Sequence, residues 1–294
     1  MAFVLAHLSD PHIGPLPRPK ARELIGKRLT GYVNWRRGRD KAHDMTALAA
    51  LVADMRARRP DHVAITGDIL NIGLPAEFLL AKEWIATLGR PQDVSFVPGN
   101  HDAYVRGAVR HIGPTFAPYA TGDDGAEGYP YLRRRGPLAI VGLSSAIPRP
   151  MFVASGRLGR AQLAQAERWL MEAGAQGLAR VVLLHHPPVL AEKRAGRSLI
   201  DAADFEAMIS RAGAELVLHG HDHRQAARLI GGPRGGVPVV GVASASLAPV
   251  EGRRPGAYHL FTFESDGRDG FHITARARGI VAGKPDDLGA LALD

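Results

Sequence analysis

The chain has 294 residues, 46% hydrophobic and 22% charged, enough apolar side chain for a substantial core and too little charge for a disordered chain. It contains no cysteine, which excludes disulfides, thiolate nucleophiles and Cys-based metal sites, so any metal must be held by His, Asp, Glu or Asn. No run approaches the roughly 18 consecutive apolar residues of a membrane helix, and the start reaches Asp10 without a basic leader or cleavage site, so a cytoplasmic location is expected.

The apolar pattern alternates between two periods. Short β-rich runs at Phe3 to Leu8, His62 to Thr66, Val94 to Val97, Leu138 to Leu143, Arg180 to Leu184 and Glu215 to Leu218 predict buried strands. Helical spacing between them predicts helices over Asp44 to Arg58, Ala76 to Leu88 and Arg160 to Ala173. Strand and helix in alternation argue for a layered α/β fold. The later runs Val237 to Val242, Tyr258 to Phe263 and Gly270 to Thr274 have no helices between them, which predicts strands of a second, antiparallel sheet. Gly/Pro-rich stretches at Gly113 to Pro118, Thr121 to Gly128 and Gly231 to Gly236 read as loops inside one domain covering 1–281, and 282–294 as a loosely ordered tail.

The net charge of +8 is concentrated. Within a basic insert spanning 14–41, nine Lys or Arg residues between Arg18 and Lys41 face only Glu23 and Asp40. That confinement argues against a nucleic-acid-binding coat. Leu24, Ile25, Leu29, Tyr32, Val33 and Trp35 interleave with the charges at roughly helical spacing, so the insert reads as a solvated surface helix, or as a lid or interfacial segment meeting an anionic substrate or membrane surface.

Each of five predicted strands runs into a polar cluster: Asp10-Pro11-His12, Gly67-Asp68, Gly99-Asn100-His101-Asp102, His185-His186-Pro187 and Gly220-His221-Asp222-His223. In open α/β sheets, the loops leaving the strand carboxyl ends converge and form ligand sites. Together these segments offer two carboxylates (Asp10, Asp68), the amide of Asn100 and imidazoles at His12, His101, His185, His221 and His223. That inventory exceeds one tetrahedral zinc and suits two divalent metals sharing a carboxylate. The Asp-x-His and His-x-His spacings fit this, because alternate residues of an extended strand end point the same way.

These clusters, in this order, resemble the calcineurin-like metallophosphoesterase superfamily. Gly99-Asn100-His101-Asp102 and Thr66-Gly67-Asp68-Ile69-Leu70-Asn71 are similar to its class III cyclic nucleotide phosphodiesterase and glycerophosphodiesterase branch, as is the closing Ala257-Tyr258-His259-Leu260. They differ from the Gly-Asp-x-Val-Asp-Arg-Gly and Gly-Asn-His-Glu of protein Ser/Thr phosphatases. The resemblance implies a four-layer αββα sandwich of two mixed sheets flanked by helices, and a dinuclear metal site at the strand carboxyl ends. It implies one metal (Fe, Mn or Zn) held by Asp10, His12, His223 and the bridging Asp68, and a second held by Asp68, Asn100, His185 and His221. His186 is expected behind the ligands.

The implied reaction is attack of a metal-bridging hydroxide on a phosphodiester such as a cyclic nucleotide or glycerophosphodiester. His101 would act as catalytic donor near the leaving oxygen and Asp102 would orient it. Arg106, Arg149 and Arg157 are candidate substrate contacts by charge and position. The rival enzymatic readings are a phosphomonoesterase, a nuclease and a lipid-linked nucleotide pyrophosphatase. A non-catalytic scaffold of the retromer type is disfavoured because every ligand position is filled. Expected partners are a small phosphodiester and transiently an anionic membrane surface, with a homodimer left open. His7, His43, His62, His111, His259 and His272, with Trp35, Trp84 and Trp169, read as packing or surface residues, whereas His219, beside the motif, reads equally as a residue that orients a ligand.

Overall fold

A computed structural model describes residues 2–190, 195–248, 255–267 and 270–293, with Arg39 described by its backbone alone. In chain order its elements are β1 (Phe3–Leu8), α1 (Lys27–Asn34), the single turn α2 (Asp40–Ala42), α3 (Met45–Ala57), β2 (His62–Ile65), α4 (Pro75–Ala86), β3 (Val94–Phe96), α5 (Arg106–Ala120), β4 (Tyr131–Arg135) and β5 (Leu138–Gly142). The second half continues with α6 (Arg160–Ala175), β6 (Ala179–Leu183), α7 (Ala202–Ala212), β7 (Leu216–His219), β8 (Ala226–Gly232), β9 (Gly235–Gly241), β10 (Ala257–Ser265), β11 (Phe271–Val281) and β12 (Lys284–Ala290).

These strands form two six-stranded sheets, ordered β12-β11-β10-β1-β2-β3 and β4-β5-β6-β7-β9-β8. Both are mixed. Strands β1, β2 and β3 are parallel, as are β5, β6, β7 and β9, while antiparallel strands fill out the edges.

The period-2 alternation of each strand assigns its side chains to layers. On β6, Val181 and Leu183 enter the core between the sheets, whereas Val182 and Leu184 beside them pack under α6 and α7. On β1, Leu5 faces the second sheet, whereas Ala6 and Leu8 face α3, α4 and α5. Three buried clusters between four layers therefore make the αββα sandwich. Local chemistry starts the helices: the Asp44 carboxylate accepts from the Thr46 and Ala47 amides at 2.8 and 3.1 Å, capping α3, and its Leu48, Leu51, Val52 and Met55 stripe is buried.

Three sequence expectations are corrected. The late runs do not make a second sheet of their own: β10 and β11 join the first sheet through β1, and β9 joins the second beside β7. Helix periodicity between strands says which layers exist but not which neighbour a returning strand takes. Gly113 to Pro118 lies inside α5, where Ala108, Ile112, Phe116 and Tyr119 are buried and packing overrides the helix-breaking residues. Part of the expected tail, Lys284–Ala290, is edge strand β12, paired with β11 across a β-bulge at Ala277/Arg278.

Parallel pairing aligns the carboxyl ends of β1, β2 and β3 in one sheet, and of β6 and β7 in the other. Where the two sets of ends meet, a bridge joins Ser9 to Ser244, and the Ala245 amide donates to the Ser9 carbonyl at 2.9 Å.

Candidate metal centre

All five polar clusters converge at this junction. The His223 Nε2 lies 3.1 Å from Asp10 Oδ1 and 3.3 Å from His12 Nε2. On the other side, His185 Nε2 lies 3.3 Å from Asp68 Oδ2 and 3.2 Å from Asn100 Oδ1, while His221 Nδ1 lies 2.9 Å from Asn100 Oδ1. Donor atoms of Asp10, His12 and His223 fall within 4.8 Å of one another, as do those of Asp10, Asp68 and His185.

The tautomers are set from behind. His12 Nδ1 donates to the Leu70 carbonyl at 2.9 Å and His185 Nδ1 to the Thr66 carbonyl at 2.6 Å, so each ring turns its Nε2 inward, the nitrogen that would ligate a metal once it carries no proton. His221 Nε2 is buried without a hydrogen-bond partner, and Asp10 Oδ1 faces only His223 Nε2, at 3.1 Å. A buried polar atom left unpaired costs about 1–3 kcal/mol, which a cation would relieve. Two buried carboxylates, an amide and four imidazoles thus fit a divalent metal pair.

Charge balance points the same way. Burial opposes ionisation of Asp68, but His185 and His101 outweigh it and hold the carboxyl well below its usual range. Asp10 is likewise lowered, His223 overcoming its burial. Burial opposes a charge on His185 too, yet Asp68 and Asp10 push it up to about 9. The anionic pair calls for positive charge. His221, desolvated and facing His185, is held down to about 3.

The ligand backbone is not extended. Asp10, His12, Asp68, His221 and His223 have φ of 52°, 37°, 54°, 71° and 52°, a conformation costing non-glycine residues of order 1–3 kcal/mol each and typical of functional sites. The strand-alternation rationale for Asp-x-His therefore fails: β1 ends at Leu8, and left-handed turns aim the side chains. Gly67 permits a close backbone approach, since a Cβ there would lie 2.4 Å from the Gly99 amide nitrogen.

Buried carboxylates hold these loops. Asp102 accepts from the Asp68 and Gly99 amides at 2.8 Å each and from the Leu70 amide at 3.1 Å. Burial and the neighbouring Asp68 raise it to about 7, against the pull of those amides. Glu77 does the same for the Asn71, Ile72 and Leu74 amides. Asp102 is therefore not the orienting partner of His101. Its side chain turns into the protein, and the Asn71 carbonyl accepts from His101 Nδ1 instead, while Tyr104 stacks on the ring at 5.4 Å.

A cavity of about 390 Å³ opens over the centre, lined by Asp68, Asn100, His101, His221 and His223, and also by His43, Asp222 and Arg197. His186 turns away, Nδ1 toward Ser145 Oγ at 2.8 Å and Nε2 toward the Ala154 carbonyl at 2.9 Å. None of Arg106, Arg149 and Arg157 lines this cavity; Arg106 and Arg157 are exposed and Arg149 is half-buried. His43, read from sequence as a packing or surface residue, has its ring 4.7 Å from that of His12. Its position follows from a bridge to Leu247, a long-range contact with no local signature.

The basic insert is docked. Arg28 donates to the Ile72 and Gly73 carbonyls, and Lys27 Nζ sits 4.3 Å from the Tyr104 ring centre. Burial lowers Lys27 while Asp68 raises it. Gly31 packs against Tyr104 and Ile72, where a Cβ would come within 2.5 and 2.8 Å of side-chain atoms. Among the described residues, no helix is long and apolar enough to cross a membrane.

The profile of the family described as calcineurin-like phosphoesterase matches residues 3–225. The chain is 30% identical over 179 residues to a probable cyclic nucleotide phosphodiesterase of Synechococcus sp., covering 60% of this chain and 63% of that protein. It is 28% identical over 202 residues to the glycerophosphodiester phosphodiesterase GpdQ of Enterobacter lignolyticus, covering 64% of this chain and 58% of that protein. The chain thus spans less than two thirds of either relative. In fold it is similar to a dimetal phosphatase from Danio rerio, with TM-score 0.66, 15% identity and coverage of 98% and 99% of the two chains. The profile match, the ordered ligand set and the sandwich place this chain in the calcineurin-like phosphoesterase family.

Proposed function

We propose that the protein is a dinuclear-metal-dependent phosphodiesterase acting on a small diester of the cyclic nucleotide or glycerophosphodiester type. The observation that carries the reading is the inward-facing donor set of Asp10, His12, His223, Asp68, Asn100, His185 and His221, with His221 Nε2 left unpaired. Asp10, His12 and His223 would hold one metal and Asn100, His185 and His221 the other, with Asp68 shared. Two divalent cations bound there supply charge neutralisation for phosphoryl oxygens and Lewis-acid activation of water.

The chain's own contribution is positioning and proton transfer. In its imidazolium form His101 donates from Nε2 to the leaving oxygen, becoming the Nδ1–H tautomer that the Asn71 carbonyl already accepts. Tyr104 fixes the ring plane. Arg197, which lines the same cavity, offers donors to phosphoryl oxygens. Two observations favour a diester over a monoester: both relatives found by sequence bear diesterase names, and the Asn100-His101-Asp102 cluster departs from the protein phosphatase pattern.

Paired variants test these roles. His101→Ala should retain metal while turnover on bis(p-nitrophenyl) phosphate falls by about 10²–10⁴-fold, whereas Asp68→Ala should lose metal. Metal loss in His101→Ala with full metal content in Asp68→Ala would overturn the assignment.

A further inference from the structure

Three hollows follow one another from the centre, and each shares lining residues with the next. His43 forms a wall shared by the 390 Å³ cavity over the donor set and a second hollow of about 660 Å³. This second hollow is lined mainly by the basic insert, through Tyr32, Trp35, Arg18 and Arg36, with Asp40. It shares Gly14, Pro15, Leu16, Arg18 and Met45 with a groove of about 960 Å³ between α3 and α4. The groove walls include Leu16, Met45, Leu79, Leu80 and Trp84. Leu79 and Leu80 are 67% and 36% exposed, so solvated apolar surface lines it.

The order of chemistries is the order of parts in an amphiphile. A phosphoester group belongs with the donor set and the polar linker beside it with the arginines and aromatic edges. An alkyl chain belongs in the apolar groove, whose size falls in the range of small-molecule sites. A compact diester would leave the groove unused.

Resting on the phosphodiesterase reading above, we infer that the substrate is a phosphodiester carrying one long alkyl chain, which lies past His43, along the basic insert, in the groove between α3 and α4. In the reaction, water oxygen bonds to phosphorus and the bond from phosphorus to the leaving alcohol oxygen breaks. That oxygen takes up a proton, giving an alcohol and a phosphomonoester.

The experiment uses metal-loaded full-length protein and a series of glycerophosphocholine and its 1-butyryl, 1-octanoyl and 1-lauroyl derivatives, each below its micellar concentration. Bis(p-nitrophenyl) phosphate serves as the chain-free diester. The expected result is a kcat/KM that rises by about two- to fourfold per added methylene until the groove is filled. Ala76→Trp, which fills the groove, and Leu79→Asp, which charges its wall, should flatten that rise without changing bis(p-nitrophenyl) phosphate turnover. Independently of turnover, a lauroyl derivative brominated on its chain should quench tryptophan fluorescence, and less so in Trp84→Phe.

A flat series without quenching, with bis(p-nitrophenyl) phosphate still hydrolysed, overturns the alkyl-chain inference and leaves the phosphodiesterase reading standing. If no diester is hydrolysed by protein holding two metals, that reading fails, and quenching alone decides whether the groove takes the chain. A flat series together with a dimer that Leu79→Asp dissociates would assign the groove to a second copy of the chain and overturn the inference.

Discussion

Asp102 offers a sharp separation between holding a site and acting in it. Its two oxygens accept from three amides of the two loops that present Asp68, Asn100 and His101. In Asp102→Asn, the amide oxygen can keep the two 2.8 Å partners at Asp68 and Gly99. The new NH2 then faces the Leu70 amide, leaving one buried N–H unsatisfied at about 1–3 kcal/mol. Losing the charge on the other two bonds brings the expected destabilisation to about 2–4 kcal/mol. Asp102→Ala would orphan all three, of order 3–9 kcal/mol, comparable with the whole stability of a typical domain, so the Asn variant is the measurable one. Urea unfolding of chelator-treated protein at pH 9, where Asp102 is ionised, reads the loss; metal content and turnover are measured alongside. Lower stability and weaker metal retention are expected, with turnover per bound metal kept, because His101 is held by Asn71. An Asn variant with wild-type stability and metal content, but a turnover loss equal to that of His101→Ala, would refute the argument and make Asp102 a partner of His101.

Gly31→Val should push α1 off Tyr104 and Ile72, against which even one Cβ has no room; overpacking of this kind costs about 1–3 kcal/mol. Turnover should fall while metal content is unchanged, as read by steady-state kinetics and elemental analysis. His62, buried against Ser95 Oγ at 2.9 Å, is held down to about 3 by burial and by Arg135 and Arg133. Its folded value lies below the roughly 6.5 of the unfolded chain, so the unfolded state binds the proton and stability falls as pH drops from 6.5 toward 3. Between pH 8 and pH 5 this amounts to about 2 kcal/mol. His62→Gln should therefore lose about 2 kcal/mol less than the parent over that interval in urea unfolding, whatever its stability at pH 8. Equal losses would contradict it.

The convergence of the candidate donors was legible because each lies within a few residues of a strand end, and strands announce themselves by apolar runs. Asp10, Asp68, Asn100, His185 and His221 follow β1, β2, β3, β6 and β7 directly, and parallel pairing brings them together. What sequence could not convey was the direction of side chains beyond the strands. Asp102 is two residues from Asn100, yet its carboxylate turns inward to backbone amides that no side-chain pattern reveals. His43 reaches the cavity only because its segment bridges to Leu247. The basic insert was visible as charge, but its docking depends on Gly31, Arg28 and the Ile72 and Gly73 carbonyls, features of backbone approach and not of composition. Strand order failed similarly, since β10 pairs with β1 across most of the chain's length.

The central claim is most directly tested by determining metal content and diester preference on one preparation. The chelated protein is reconstituted with Mn, Fe or Zn in turn, and bound metal is counted. Hydrolysis of bis(p-nitrophenyl) phosphate is then compared with that of p-nitrophenyl phosphate. The account predicts two metals per chain, activity that appears only with metal, and kcat/KM favouring the diester. Two bound metals with a preference for the monoester would contradict the phosphodiesterase reading, and full activity in metal-free protein would contradict the metal centre itself.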